Sequence, residues 1–336
     1  MDKKSFLLLI FLILFVLLLS SCKKSNDSVD TVKETKSRCP ICHTFVDNSS
    51  QIIRRPMAVM VENSTEARPQ SGLNDACVVY EAITEGGISR FMAVYLHNDC
   101  EVIGPVRSAR PHFINLAKNY GAVYVHCGQS IEAMNILRGE NGFLDMNEMG
   151  NNEYFWRVKG RKVPHNLYTS TANVEKYLIG SNKERGEGIF PNFSYDSLLV
   201  SGQKVTEFSV DLSKATPKVI WKYDDKTKDY FRYNGNREHK DRGSGEPLSA
   251  KNIIVQYVSS YPIQSSTVGT MSVGVNGNGG GYLYSNGMRS EIRWENKISD
   301  NTTNFETVSG DLLPMAEGRT YVMFVDSSGS TKTIVQ

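Results

Sequence analysis

The sequence predicts a mixed α/β, or α+β, N-terminal domain built on a mixed sheet, followed by a smaller β-rich C-terminal domain. Three observations carry this. Between about residues 57 and 180, short apolar β-favouring runs alternate with stretches that carry helix caps and stops. After Gly180 the composition shifts to Gly, Asn, Ser and Thr with tyrosines, and the apolar positions alternate as strands require. Finally, the 336-residue chain, once a leader is set aside, is longer than one hydrophobic core usually takes, which predicts two domains.

Residues 1–22 are expected to be a lipoprotein signal peptide. Lys3 and Lys4 precede the apolar run Phe6 to Leu19, which is shorter than the ~20 residues of a spanning helix. Leu19-Ser20-Ser21-Cys22 then offers an apolar residue, two small residues that fit a peptidase cleft, and a thiol to carry diacylglycerol. Lipidation at Cys22, with palmitate-like chains, would hold the protein to the outer side of the cell membrane, since two or more acyl chains exceed the marginal hold of one. Lys23 to Ser37 is rich in Lys, Ser, Asp and Thr, so residues 23–50 are expected to be a flexible tether, with order beginning near Arg54-Arg55-Pro56.

The N-terminal domain is placed at 51–205. Its strands are expected at Met57 to Val61, Cys77 to Ile83, Phe91 to Leu96 and Ala122 to His126, and Gly86-Gly87 suggests an antiparallel excursion between the second and third. Helices are expected at 111–119, where Pro111 suits the first turn and Gly121 the exit, at 131–138 between Ser130 and Gly139, and at 172–179 between Ser170 or Thr171 and Gly180. The C-terminal domain is placed at 215–336. It opens with a hairpin of Val219 to Tyr223 and Tyr230 to Tyr233 around Asp224 to Asp229, with further strands at Asn252 to Val258, Gly281 to Ser285, Ser290 to Trp294 and Thr320 to Val325. Gly274 to Gly281 lacks the Gly-Lys-Ser/Thr ending of a phosphate loop and reads as a mobile turn or a bulged strand entry.

The formal charge is +2, of which Asp2, Lys3 and Lys4 supply a net +1, so the exported part is near neutral and has no basic stripe for nucleic acid. An apolar content of 40 % with 10 % aromatics fits a globular protein. Besides Cys22 the chain holds Cys39, Cys42, Cys77, Cys100 and Cys127, an odd set that can oxidise outside the membrane. Cys77 and Cys127 lie in apolar runs and read as buried small hydrophobes.

The segment Gly104-Pro105-Val106-Arg107-Ser108-Ala109-Arg110-Pro111 places two arginines and a serine between a strand and a helix start, where N–H groups and guanidinium forks favour an anion. Arg107, Arg110 and Ser108 are therefore candidate anion ligands, with Arg68, Arg90, His126 and His165 as residues that could join them. The alternative is that these arginines pair with Glu62, Glu81 or Glu85 and fasten loops. Cys39-Pro40-Ile41-Cys42-His43 reads first as a local disulfide or a structural or redox thiol pair, then as Zn²⁺ ligands shared with His43, and last as a CxxCH haem attachment. His239-Lys240-Asp241 offers half a metal site or a hydrogen-bonded loop. Tyr80, Tyr124, Phe155, Trp156 and Tyr168 suit either sugar stacking or core packing. There is no Gly-x-Ser-x-Gly elbow, no His-Glu-x-x-His and no nucleophile–base pair.

Long ordered motifs carry a resemblance. Arg55 to Asn63, Ala67 to Leu73, Val79 to Ala82, Glu85 to Phe91, Gly104 to Arg110 and Pro164 to Tyr168 resemble the YerB-like lipoprotein family, with a looser continuation through Tyr233-Asn234-Gly235, His239-x-Asp241 and Asn252 to Val255. Cys42 departs from the family pattern, in which a Cys-Pro pair stands here without the second cysteine. The resemblance implies a two-domain exported lipoprotein of unknown function. The reading that follows is a cell-envelope binding or assembly factor with an Arg-lined cleft for a phosphate or glycan anion, whose partners would be the membrane, anionic envelope glycans or wall-synthesis proteins. A second likeness, of strand, Arg-containing loop and helix, is similar to the LytR-CpsA-Psr phosphotransferases. It implies phosphotransfer or hydrolysis on lipid-pyrophosphate-linked glycans, with Asp75, Glu81 and Glu85 holding a divalent metal.

Overall fold

Met57–Glu62 (β1) is buried along its whole length. Its period-two alternation sends Ala58 and Met60 into one apolar layer and Met57, Val59 and Val61 into another, so both faces of the strand are covered. The same division holds for Val78–Ile83, Ser89–Tyr95, Asn252–Val258 and Thr320–Asp326. The computed structural model describes residues 2, 37–183, 190–191, 193–196, 201–264, 266, 269–297, 302–327 and 334–335. The expected signal segment, Cys22 and the expected tether before residue 37 thus lie outside the described residues, apart from Asp2. Lys36–Gln336 forms one unit.

The central sheet has eleven strands. From the first half come β1, β2 (Val78–Ile83), β3 (Ser89–Tyr95), β4 (Val123–His126) and β5 (Asp145–Asn147). The second half adds β9 (Asn252–Val258), β10 (Gly277–Ser285), β11 (Met288–Lys297), β12 (Thr302–Thr307) and β13 (Thr320–Asp326), and Gln203–Lys204 pairs on β11. The order is β12-β11-β10-β9-β13-β2-β3-β1-β4-β5. β2 runs parallel to β13, and the β2–β3 and β3–β1 pairs are antiparallel, as the Gly86-Gly87 turn predicts. β1, β4 and β5 are mutually parallel, so the sheet is mixed.

One face packs under α1 (Pro111–Lys118) and α2 (Ile131–Gly139), through Phe113, Leu116 and Ala133. Ser130 caps α2 by accepting from Ala133 N, and Pro111 starts α1. The opposite face packs under α3 (Thr171–Gly180) and a second sheet built from β6 (Glu207–Val210), β7 (Val219–Asp224) and β8 (Asp229–Asn234). Phe208, Trp221 and Tyr230 fill that second layer. The β7–β8 hairpin has the expected register, with Asp224 opposite Asp229.

Three expectations are corrected. The boundary at 205–215 does not separate two cores: β13 from the far end of the chain inserts between β9 and β2, and each apolar layer draws on both halves. The tether does not reach residue 50, because Cys39, Ile41, Cys42 and Val46 are buried in the first layer. Of the two readings of Gly274 to Gly281, the mobile turn gives way to the strand entry: Gly277–Gly281 open β10, and 274–276 lead into it. A Cβ at Gly281 would land on the Val255 carbonyl oxygen, and one at Gly279 would lie 2.8 Å from Trp294 Nε1, so backbone and indole approach too closely for any side chain.

This packing makes a sharp prediction. Gly281→Ala must push strands apart and should cost about 1–3 kcal/mol, whereas Gly280→Ala, whose nearest neighbour is 3.7 Å away, should leave the denaturation midpoint unchanged. Urea unfolding of both variants checks it.

Candidate functional site

A carboxylate on β2 and a guanidinium on β8 meet with no exposure at all. Arg232 Nη2 donates to both carboxylate oxygens of Glu81, at 2.9 and 3.0 Å, and both side chains are fully buried. Glu81 also accepts from Asn63 Nδ2 at 3.1 Å and Ser89 Oγ at 2.6 Å. Arg232 Nη1 donates to Asn234 and to His239 Nδ1. Because guanidinium only donates, that ring nitrogen accepts, so Nε2 carries the hydrogen and donates to Gln70 Oε1 at 2.7 Å. Burial, followed by the charges of Arg232 and Arg68, holds His239 well below its usual range and keeps it neutral. Gln70 closes the network by donating to the Glu62 carbonyl and to Asn63.

The Gly104–Arg110 segment is a strap. It runs between the end of β1, where Glu62 N donates to Pro105 O, and the Leu167–Tyr168 strand, where Val106 N donates to Leu167 O. Its arginines are held by acids. Glu62 receives Arg107, His165 Nδ1 at 2.9 Å and the Ser64 hydroxyl. Glu85 receives both Arg90 and Arg110, while Arg90 also donates to the Ser108 carbonyl. Burial alone would push the Glu85 carboxyl up, but the Arg110 hydrogen bond and the Arg90 and Arg110 charges outweigh it and hold it at about 2. His126 is engaged by the Gly128 carbonyl and the Asp145 carboxylate rather than by the strap arginines. The candidate residues therefore divide among separate ion pairs rather than converging on one open cleft.

Arg68 is different. It donates to the side-chain and main-chain oxygens of Asn63, at 3.0 and 2.9 Å, and among the described residues makes no ion pair. Burial and the nearby Arg232 charge lower it to about 10, with Glu81 and Glu66 acting from further off in the other direction. It lines a cavity of about 660 Å³ together with Arg237, Lys240, Asn234, Asn236 and Thr65. The cavity's lining acid is Glu238, 3.3 Å from Lys240. Cations thus outnumber acids there, and amide and hydroxyl groups stand beside them. Of the candidate site residues, Arg68 and His239 line this cavity.

The remaining candidates are accounted for by neighbours. His239 and Asp241 do not share a metal, because Asp241 accepts from the Gly243 backbone and Asn74 N while His239 joins the network above. The proposed carboxylate set separates: Glu81 is in its buried pair, Glu85 lies between two arginines, and Asp75 sits half-buried beside Cys100, its carboxyl raised by burial. Tyr80, Tyr124 and Tyr168 are core side chains and Phe155 is nearly so, while Trp156 is partly covered. Cys39 and Cys42 do meet, but their imidazole neighbour is His97 rather than His43, which stacks on Tyr195 at 4.3 Å. Arg232, Arg237, Lys240 and His97 were missed. The period-two pattern of Tyr230-Phe231-Arg232 already places Arg232 on the buried face with Tyr230.

Two stretches of the chain match known family descriptions. Residues 44–184 match the N-terminal domain, and 208–322 the C-terminal domain, of the family described as protein of unknown function DUF3048. The chain belongs to this family. Within it, the chain is 32 % identical over 313 residues to YerB of Bacillus subtilis (strain 168), a protein named as a lipoprotein, covering 92 % of this chain and 91 % of that one. The crystal structure of YerB from Bacillus subtilis superposes with a TM-score of 0.78 at 29 % identity, over 89 % of this chain and all of that one. In DUF3048 terms, Glu81 lies in the N-terminal domain and Arg232 in the C-terminal one, so the buried pair joins the two.

Removing one partner of such a pair strands a charge in the core. Arg232→Met should cost about 3–5 kcal/mol, and adding Glu81→Leu should recover most of it; chemical denaturation of the single and double variants measures the difference. A second prediction concerns acid. Glu85 is depressed in the fold, so its contribution is complete above the unfolded carboxyl range near ~4.3 and is lost as pH falls toward 2. The stability-versus-pH curve of Glu85→Gln should be flatter than wild type between those limits.

Proposed function

We propose that this DUF3048 protein is a membrane-anchored lipoprotein of the cell envelope that binds an anionic group, a phosphate or a phosphate-bearing glycan, in the Arg68 cavity. The lipid anchor rests on the Leu19-Ser20-Ser21-Cys22 pattern and on the relative named as a lipoprotein. The observation that carries the ligand reading is Arg68 itself: a guanidinium oriented by a neutral amide, without a carboxylate contact among the described residues, on the wall of a cavity it shares with Arg237 and Lys240. A cation left without a counter-charge gains most from an anionic guest, and guanidinium binds phosphate oxygens in bidentate fashion. The strap arginines serve a different end, since each already has a carboxylate partner.

A phosphoryl-transfer role would need Asp75, Glu81 and Glu85 around one cation. The geometry favours binding over that reading, because each of these carboxylates has its own partners.

Titration calorimetry of the full chain in detergent with inorganic pyrophosphate tests the proposal. Arg68→Ala should weaken binding at least ~10-fold, the loss expected of a charge-assisted pair of about 1.5–3 kcal/mol, and the affinity should fall with added salt. Arg107→Ala should leave it within about twofold, because a guanidinium already paired with Glu62 adds little. Equal affinity in wild type and Arg68→Ala, or loss in Arg107→Ala alone, would overturn the assignment.

A further inference from the structure

The N-terminal segment, β2 and β3 bring four soft ligands to one point. Cys39 and Cys42 come from a tight turn in which Cys39 N donates to Thr44 O, His43 N donates to Cys39 O and Ile41 N points at Cys39 Sγ from 3.4 Å. Cys77 immediately precedes β2 and His97 follows β3, and those strands are antiparallel neighbours, so the register sets the two residues side by side. Cys39 Sγ lies 3.9 Å from Cys77 Sγ, and His97 Nδ1 lies 3.3 Å from Cys77 Sγ and 3.7 Å from Cys42 Sγ. All four ligand atoms fall within 4.8 Å of one another.

From this we infer a structural zinc site, with Cys39, Cys42, Cys77 and His97 as a Cys₃His ligand set. Zn–S bonds of about 2.3 Å and Zn–N bonds of about 2.0–2.1 Å in a tetrahedron put sulfurs ~3.8 Å apart and sulfur and nitrogen ~3.6 Å apart. The separations of 3.9, 3.3 and 3.7 Å lie close to these, and the remaining pairs fall within 4.8 Å, so only small shifts are needed to close the tetrahedron. A disulfide, by contrast, would need two of the sulfurs to approach to about 2.05 Å.

Second-layer contacts agree. His97 Nε2 faces Thr44 Oγ1 at 3.2 Å, a partner that fixes the ring with Nδ1 toward the thiols. The Ile41 N–H directed at Cys39 Sγ is a donor toward a sulfur that would carry negative charge on the metal. The three cysteines are 0 %, 2 % and 1 % exposed, which leaves no open coordination position for a substrate and makes the site structural rather than catalytic. On loading, each protonated thiol releases its proton to solvent as its Zn–S bond forms, and Zn²⁺ with three thiolates and a neutral imidazole carries a single net negative charge. Cys39 and Cys42 precede the matched DUF3048 N-terminal domain, whereas Cys77 and His97 lie inside it. The zinc would therefore clasp the segment that follows the tether onto the central sheet.

The test is metal analysis of the full chain isolated from membranes in detergent without added zinc. About one zinc per chain, retained through gel filtration against a weak chelator, is expected for a closed four-ligand site. Cys42→Ser and Cys77→Ser should lose it, whereas Cys127→Ser and Arg68→Ala should keep it, which separates this site from the anion cavity. Should the ligand variants fail to fold, chelator-stripped wild type titrated with Co²⁺ should show the visible bands and thiolate charge transfer of a tetrahedral site. Folded, reduced wild type that takes up neither ion overturns the inference. So does non-reducing peptide mapping that finds a disulfide among Cys39, Cys42 and Cys77 in the isolated protein.

Discussion

The buried ion pair of Glu81 and Arg232 is the constraint on which the arrangement of the two DUF3048 domains depends. Taking both charges out of water costs several kcal/mol per ion, so the pair is tolerated only with close geometry and with the remaining oxygens and hydrogens satisfied. The geometry is close, and every group but one is satisfied, Arg232 Nε being buried without a hydrogen-bond partner. Asn63 and Ser89 complete the carboxylate, while Asn234 and His239 take the other guanidinium arm. A one-residue slip of β8 would turn Arg232 to the other face of its sheet and leave Glu81 charged in an apolar layer. The pair therefore contributes more to register than to net stability, and it carries His239, Gln70 and the wall of the Arg68 cavity into place.

Local pattern revealed most of the fold. The three helices lie where Pro111, Ser130, Ser170 and their terminal glycines mark them, and the long strands lie where apolar runs do, because both signals act within a few residues. The joining of the halves was not legible. Parallel pairing of β13 with β2 links residues some 240 positions apart, for example Val78 with Thr320, and nothing in either segment names its partner. The glycine run left turn and strand entry open for a related reason: its lack of side chains answers to Trp294 and Val255, which lie outside it in sequence. Segment 37–46 misled because its few apolar residues are too sparse to register as core, yet Cys39, Ile41, Cys42 and Val46 are buried.

The site shows the same split between what is local and what is not. Arginine, serine and proline in the Gly104–Arg110 strap suggest an anion site, yet whether an arginine binds a ligand or fastens a loop depends on carboxylates contributed from elsewhere. Glu62 and Glu85 lie 45 and 25 residues before Arg107 and Arg110 respectively. Arg68, in a less conspicuous setting, escapes such pairing because the group beside it is Asn63, a neutral amide that orients a guanidinium without neutralising it.

This distinction gives a physical reason for the division of labour among the arginines. Two guanidinium groups share Glu85, one of them from Arg110 at the start of α1, and withdrawing either to greet a ligand would break its ion pair with a part-buried carboxylate, so their geometry resists recruitment. Arg68 has nothing comparable to give up. An incoming anion would meet an already oriented fork and would leave both hydrogen bonds to Asn63 in place, so little reorganisation opposes binding. In the proposed site, preorganisation by a neutral partner, rather than the number of arginines nearby, would separate a receptive cation from a structural one.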